Sequence, residues 1–455
     1  MKNQPKKQYS SFVKKNNKIE EMIYDPVEEK TAFVTILDGI VKTSDSIAVN
    51  EQSIYPLPPE NKLVSNKVVL FPSCAEEFGS EKELLIDIQT FIHKYLEVSE
   101  FFEKISPFYI LLTWVYDSFK ELPYLRAIGD YGCGKSRFLK VLGSICYKPA
   151  FTAGATNPAP IFRIIDQFKG TLVIDEADMR FSDTNAEVVK ILNNGFQTGM
   201  PVLRCANGEK NYEVESYDVF GPKIVATRER YEDKALESRF IVEQMDGKLS
   251  RKDIPINLDD TFDEEALKIR NKCLMWRLLN YGKKKIDTSL QDRTIEPRLN
   301  QVITPLISII DDQDTKIELM EFVKKYNGEL VSDRSMSYEA PILLAIIGLV
   351  KEGKDKITME DIAERYNFGI VKGEKELSGR KVGIIVREKF GFRNERKNIG
   401  YVLDMGSYNS RIERLCNKYG FGSELVNLVN IVEGEVKDKF IEEMRDIGYK
   451  DLPNF

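Results

Sequence analysis

Histidine is nearly missing from this chain: His93 is the only one in 455 residues. That argues against Ser–His or Cys–His nucleophilic chemistry and against a histidine metal triad, and it leaves carboxylates as the natural general bases. The six cysteines (Cys74, Cys133, Cys146, Cys205, Cys273 and Cys416) are scattered, with no C-x-x-C pair. No structural zinc site can be assembled from such spacing, and the pattern fits a reducing cytoplasm better than a disulfide scaffold. Long apolar runs are lacking too. The longest, 341–350 and 108–116, fall far short of the ~20 residues that span a bilayer. The basic opening MKNQPKKQYSSFVKKNNK runs into no apolar stretch, so no secretory signal is read there. A cytoplasmic protein with no membrane contact is expected.

What is present is charge of both signs. There are 72 acidic residues against 66 Lys and Arg, giving a formal net charge of −6. An acidic whole excludes a histone-like nucleic-acid binder but not a local basic surface. Apolar residues make up 42 %, enough to build ordinary cores, so the chain is globular and not disordered. At roughly 100–200 residues per domain, two to four domains are expected.

Residues 1–80 read as a flexible basic tail, over the first 22 residues, and then a small β-rich module. TAFVTILDGIVKT, SDSIAVN and KLVSNKVVLF have strand character around a proline-rich turn at 55–61. Residues 81–121 read as a helical linker, with LLIDIQTFIHKYL at helical spacing. Between 122 and 250 strands alternate with helices, which implies a parallel sheet wrapped by helices. Residues 251–335 read as a separate small helical bundle. Within 336–405, three helices are followed by RNERKNIGYVLD, a hairpin with a basic tip, and together they make a winged-helix candidate. Arg380, Lys381, Arg387 and Lys389 fall on or beside its third helix, and Arg393, Arg396 and Lys397 on the hairpin. Gly383, Ile384 and Ile385 are read as that helix's buried face. Such a helix can enter the major groove of duplex DNA while the wing follows the backbone. The remainder, 406–455, reads as helices of mixed charge.

The most specific motif is GDYGCGKS, residues 129–136, a complete G-x-x-x-x-G-K-[ST]. A triphosphate must be wrapped by backbone N–H groups, so Gly129, Gly132 and Gly134 permit tight, partly left-handed turns. Lys135 brings a point charge to the β- and γ-phosphates, Ser136 offers a hydroxyl to Mg²⁺, and the following helix adds its dipole. Some 40 residues on, GTLVIDEAD is an apolar strand ending in paired acids. Asp175 is placed to hold Mg²⁺, and Glu176 to polarise the attacking water. ATP and Mg²⁺ are the expected cofactors. VLRCANGEKNYEVE carries Asn207-Gly208 between two strand-like runs, a strong hairpin signal.

With GDYGCGKS, LVIDEAD, KIVATRE and ALESRF in order, the chain resembles AAA+ replication helicases of phages, plasmids and mobile elements, relatives of the MCM and superfamily III helicases. The resemblance covers roughly residues 85–404. It implies an α/β AAA+ P-loop core with a helical lid (251–335), preceded by the β-rich module and followed by the C-terminal winged helix. It further implies a polar sensor at Thr227 and an arginine, Arg239, that completes a neighbouring subunit's site, with Arg228 and Arg230 as rivals. A second sensor would be Arg298, with Arg293 close by. Lys210, or less well Lys223, would project from the hairpin into a central channel. The implied activity is ATP-driven unwinding of DNA by a ring, a hexamer, with single-stranded DNA in the channel. Residues before 80 leave no room for a fused primase, so a separate primase, or a loader role, would then be needed. Two rivals stay open: an initiator or helicase loader that binds DNA without processive unwinding, and a signalling ATPase that binds protein.

Overall fold

The computed structural model describes residues 7–421 except 16–17, 51, 154–157, 178–182, 206–213, 232, 238, 246–250, 336–338, 355, 370–375, 399, 404–407 and 420. The chain divides into two compact units, Met1–Glu321 and Phe322–Phe455.

The first unit opens with seven strands: β1 (Gln8–Tyr9), β2 (Phe12–Lys15), β3 (Lys18–Asp25), β4 (Lys30–Leu37), β5 (Ile40–Ser44), β6 (Ile47–Val49) and β7 (Gln52–Tyr55). β2 to β5 form an antiparallel sheet in chain order, and β1-β7-β6 a smaller one. The expected flexible tail over the first 22 residues is therefore corrected: from Gln8 on, its described residues are largely strand. The reason is packing, since Val13, Ile19 and Met22 are buried. KLVSNKVVLF also differs from expectation. Asn61 caps a short helix, α1 (Lys62–Ser65), by accepting from the Leu63 amide. Only the residues after it extend, bridging Val69 to Ala150.

Helices α2 (Glu81–Tyr95) and α3 (Glu100–Trp114) lead into the α/β core. Its elements are β8 (Tyr124–Ile128), α4 (Lys135–Ser144), β9 (Ala150–Ala153), α5 (Pro158–Phe168), β10 (Leu172–Asp175), α6 (Asp183–Asn194), the hairpin β11 (Val202–Cys205) and β12 (Val214–Tyr217), β13 (Lys223–Thr227), α7 (Lys234–Glu237) and β14 (Phe240–Gln244). Five strands form one sheet in the order β14-β8-β13-β10-β9, and every pairing is parallel. β8 and β13 are buried along their whole length, as a sheet covered on both faces requires. One face packs Tyr124, Leu172, Ile174 and Val225 against Ile161, Ile165, Ile191 and Leu192 of α5 and α6. α4 packs on β8, β10 and β13.

The chain leaves β8 toward β9 at one edge and leaves β13 toward β14 at the other. These neighbouring strands thus form a topological switch point, and the crevice beyond their carboxyl ends is where such sheets bind ligands. All five strands point the same way, so the residues following β8, β10 and β13 emerge along one edge.

Helices α8 (Asp260–Asn280), α9 (Pro297–Ser308) and α10 (Gln313–Ser335) follow. α8 does not belong to a separate bundle. It packs on α2, α3, α4 and β4, with Phe262 against Phe91 and Tyr95. A buried charge cluster ties it to the N-terminal sheet. Glu21 of β3 pairs with Lys148 at 2.8 Å and Arg277 of α8 at 2.7 Å, and all three side chains are about 1 % exposed. Arg277 also reaches Asp117 at 2.9 Å, and the Tyr147 hydroxyl donates to Glu21.

The second unit holds α11 (Glu339–Lys351), α12 (Met359–Gly369), α13 (Gly379–Glu388), the antiparallel pair β15 (Asn394–Lys397) and β16 (Gly400–Leu403), and α14 (Tyr408–Lys418). Ile342, Ile346, Ile362, Val382, Val386 and Leu403 share its core. Ser378 caps α13, accepting from the Lys381 amide. Among the described residues, no helix is long and apolar enough to cross a membrane.

Candidate nucleotide site

The loop 129–134 turns from β8 into α4 through two glycines in the left-handed region, Gly132 at φ +73° and Gly134 at φ +98°. Gly134 is the N-cap of α4. Gly129 is required for a different reason: a Cβ there would lie 2.3 Å from the Met245 carbonyl oxygen and 2.6 Å from Cys133 Sγ. The loop is thus pressed against the end of β14, leaving its amides and the start of α4 to form an anion-binding concavity. Lys135 Nζ donates to the carbonyls of Gly129 and Asp130, each at 2.6 Å.

Asp175 ends β10, two strands from β8. The Ser136 hydroxyl donates to its Oδ2 at 2.8 Å, so these two oxygens already converge on one point. Hard oxygen donors from one carboxylate and one hydroxyl suit Mg²⁺, which completes its shell with water and substrate phosphates. Among the described residues, no group of three or more His, Cys, Asp or Glu could hold a metal ion. Glu176 follows in the left-handed region at φ +54°, with its amide donating to Asp175 Oδ1 at 2.9 Å. Such a backbone is costly for a non-glycine residue and clusters at functional sites. It turns the exposed Glu176 carboxylate out of the strand line.

Thr227 ends β13 with its side chain buried, and its hydroxyl finds no hydrogen-bond partner among the described residues. The next residue, Arg228, lies 3.6 Å from Glu176 Oε1, with its guanidinium 4.0 Å from the ring centroid of Tyr131 in the phosphate loop. The sequence marked Arg228 as a rival for an arginine role, but Tyr131 carried no signal beyond its place among the loop's variable positions.

Arg239 lies elsewhere. It directly precedes β14, whose Phe240 pairs with Tyr124 at the start of β8, so it sits at the opposite end of the sheet from its own phosphate loop. Its guanidinium donates to the Asn193 carbonyl at 2.9 Å and to Asn193 Oδ1 at 2.5 Å, where the negative end of α6 favours a cation. Nearby, Arg126 in the middle of β8 is fully buried and pairs with Glu237 of α7. Its guanidinium stacks over Tyr231 and Phe240.

Lys223 cannot be a channel residue. It is buried, and its ammonium donates to the carbonyls of Val219 and Gly221 at 2.9 Å and of Gly195 at 3.3 Å. Burial pushes its pKa down to about 7, with Asp218 opposing. Lys210 lies outside the described residues, although the strands β11 and β12 flanking it pair in register from Val202↔Tyr217 to Cys205↔Val214. Arg298 is in the first turn of α9, but its side chain lies outside the described residues.

In the second unit, Arg380, Lys381, Arg387, Lys389, Arg393, Arg396 and Lys397 are all exposed. Of the expected buried face, Ile385 packs against this unit's core and Gly383 is half-buried, but Ile384 is not part of it. Val382 and Val386 form the buried side of α13, and Ile384 is 41 % exposed. It stands between Lys381 and Arg387 because residues three and four apart share a helix face.

No family model and no curated protein matches the chain. Among solved structures, it is similar to the apo NrS-1 C-terminal region at 13 % identity and a TM-score of 0.34, covering 84 % of this chain and 95 % of that one. It is similar to the JCV helicase at 15 % identity and a TM-score of 0.23, covering 55 % and 64 %. Likeness this weak establishes neither fold nor function. What stands by itself is a mixed α/β protein with a five-stranded parallel sheet and a phosphate-loop motif at that sheet's switch point.

Proposed function

We infer that the chain is an AAA+ ATPase that acts as a ring-shaped DNA helicase in the replication of a phage or mobile element. The observation that carries this reading is the convergence, on one sheet edge, of the glycine loop, the Ser136–Asp175 contact at 2.8 Å and the outward-turned Glu176. Loop amides and Lys135 bind the triphosphate. A magnesium ion on Ser136 and Asp175 would neutralise charge on the β- and γ-phosphates. Glu176 takes a proton from water as the water oxygen bonds to the γ-phosphorus and ADP departs with the bridging oxygen.

The distance of Arg239 from its own loop suits a residue that serves a neighbouring subunit in a ring of six. The hairpin bearing Lys210 would meet single-stranded DNA. The unit with α11, α12, α13 and the β15–β16 pair would act as a winged helix holding duplex DNA through its exposed cations, and α8 to α10 would supply what an AAA+ protein uses as a lid. The test is strand displacement on forked DNA with ATP, comparing the full chain with Lys135→Ala. ATP-dependent unwinding by the parent alone is expected. DNA-stimulated ATP turnover without unwinding would replace the helicase with an initiator or loader.

A further inference from the structure

We propose that Arg228, and not Thr227, is the residue that senses the γ-phosphate: it holds Glu176 while the triphosphate is absent and exchanges that carboxylate for the γ-phosphate when ATP binds. This rests on the ATPase reading above.

Three loops leave the carboxyl edge of the sheet after β8, β10 and β13, and each contributes one side chain to a small surface cluster. Tyr131 comes from the phosphate loop, Glu176 follows β10 and Arg228 follows β13. The guanidinium stacks on the Tyr131 ring at 4.0 Å and faces the Glu176 carboxylate at 3.6 Å. A structural role explains this poorly. Tyr131 is 76 % exposed and the Glu176 side chain 64 %, while the Arg228 side chain between them is 30 % exposed, so the stack covers little of either partner. An ion pair with one partner that open to water contributes at most about 1 kcal/mol to stability.

The contacts are instead weak enough to be exchanged. A γ-phosphate offers more negative charge than a carboxylate and accepts two parallel N–H donors from a guanidinium. Arg228 therefore transfers to it, while Tyr131 keeps the arginine plane in place. Glu176, released from the guanidinium it faces at 3.6 Å, becomes free to turn toward the attacking water. Thr227 does not compete for this role, because its side chain is buried within the end of β13. Arg228 thus binds the triphosphate directly and positions the base by releasing it.

The test measures dissociation constants of the full chain for ADP and for a slowly hydrolysed ATP analogue, together with kcat and KM for ATP, in the parent, Arg228→Ala, Arg228→Lys and Thr227→Val. A charge-assisted contact to the γ-phosphate is lost in Arg228→Ala, so the analogue should bind about 10- to 100-fold more weakly. ADP affinity should stay within about twofold, which also verifies that the variant is folded, since ADP needs only the contacts to loop and lysine. Arg228→Lys should recover part of the triphosphate preference and Thr227→Val all of it. Equal losses for ADP and the analogue, or an unchanged ratio between them, would overturn the proposal. Loss of the preference in Thr227→Val with its retention in Arg228→Ala would return the role to Thr227. A parent chain that binds neither nucleotide would overturn the ATPase reading itself, and this inference with it.

Discussion

Replacing Glu21 with alanine should be among the most destabilising single changes in the first unit. Glu21 stands between Lys148 and Arg277, with all three side chains about 1 % exposed. The two cations are not equally dependent on it. Arg277 keeps Asp117, which it meets through two nitrogens at 3.1 and 2.9 Å. Lys148 keeps only the Ser11 carbonyl at 2.8 Å as an acceptor in this cluster, and burial already pulls its pKa down, against the pull of Glu21 upward. Removing one partner of a buried pair leaves an uncompensated charge, at a cost of about 3–5 kcal/mol. Urea unfolding followed by fluorescence reads this directly, since Trp114 and Trp276 are both fully buried in this unit and Trp114 lends its carbonyl to Arg277. Most of the cost belongs to the stranded ammonium, so adding Lys148→Met to Glu21→Ala should restore roughly 2 kcal/mol. A loss below about 1 kcal/mol for Glu21→Ala, or a double variant no more stable than the single one, would refute the reasoning.

Other outcomes follow from the same structure. Lys223 is pushed down to about 7 in the folded protein, so between that value and its ordinary unfolded pKa the unfolded chain binds the extra proton. Stability should therefore rise with pH from about 7 to 10, by at most about 1.4 kcal/mol per unit relative to Lys223→Met, and a flat difference in denaturation midpoints across that range would contradict the assignment. Arg239→Ala subunits mixed with Lys135→Ala subunits should regain ATP turnover lost by each alone, since an arginine acting between subunits is worth about 10³–10⁵ in rate; no recovery in demonstrably mixed assemblies would remove that role. Reversing Arg387 and Arg396 to glutamate should weaken duplex binding at moderate salt and flatten its salt dependence while leaving basal ATP turnover near normal, and parental binding isotherms would point to a protein partner for this unit.

The phosphate loop and the acidic strand were legible because their chemistry constrains backbone and side chain together. Only glycine fits at 129 and 134, and Asp175 closes an apolar run short enough to read as a buried strand. β8, β10, β13 and β14 were legible as short apolar runs and β11–β12 by the Asn-Gly hairpin signal, whereas the four residues of β9, AFTA, were too few and too mixed to show. The strands before β4 were hidden because KIEEMIYD places a glutamate among its buried positions, and the meaning of Glu21 lies with Arg277, 256 residues further on. α8 read as part of a separate bundle for the same reason: helical spacing shows that a face is buried, not against what. The misplacement of Ile384 on α13 arose from adjacent apolar residues at 384 and 385, where spacing alone does not choose between Ile384 and the pair Val382 and Val386. Arg228 was visible as a nearby arginine, but its link to Glu176 needed the order of strands in the sheet.

The central claim, that Glu176 is the base in a site assembled by the loop at 129–136, is tested most directly by single-turnover ATP hydrolysis in Glu176→Gln. The amide keeps the shape but cannot take the proton. ATP should therefore bind with affinity within about threefold of the parent, because Lys135 and the loop amides are untouched, while the hydrolysis rate falls by about 10² or more. Hydrolysis at the parental rate by a variant that binds ATP normally would contradict the account.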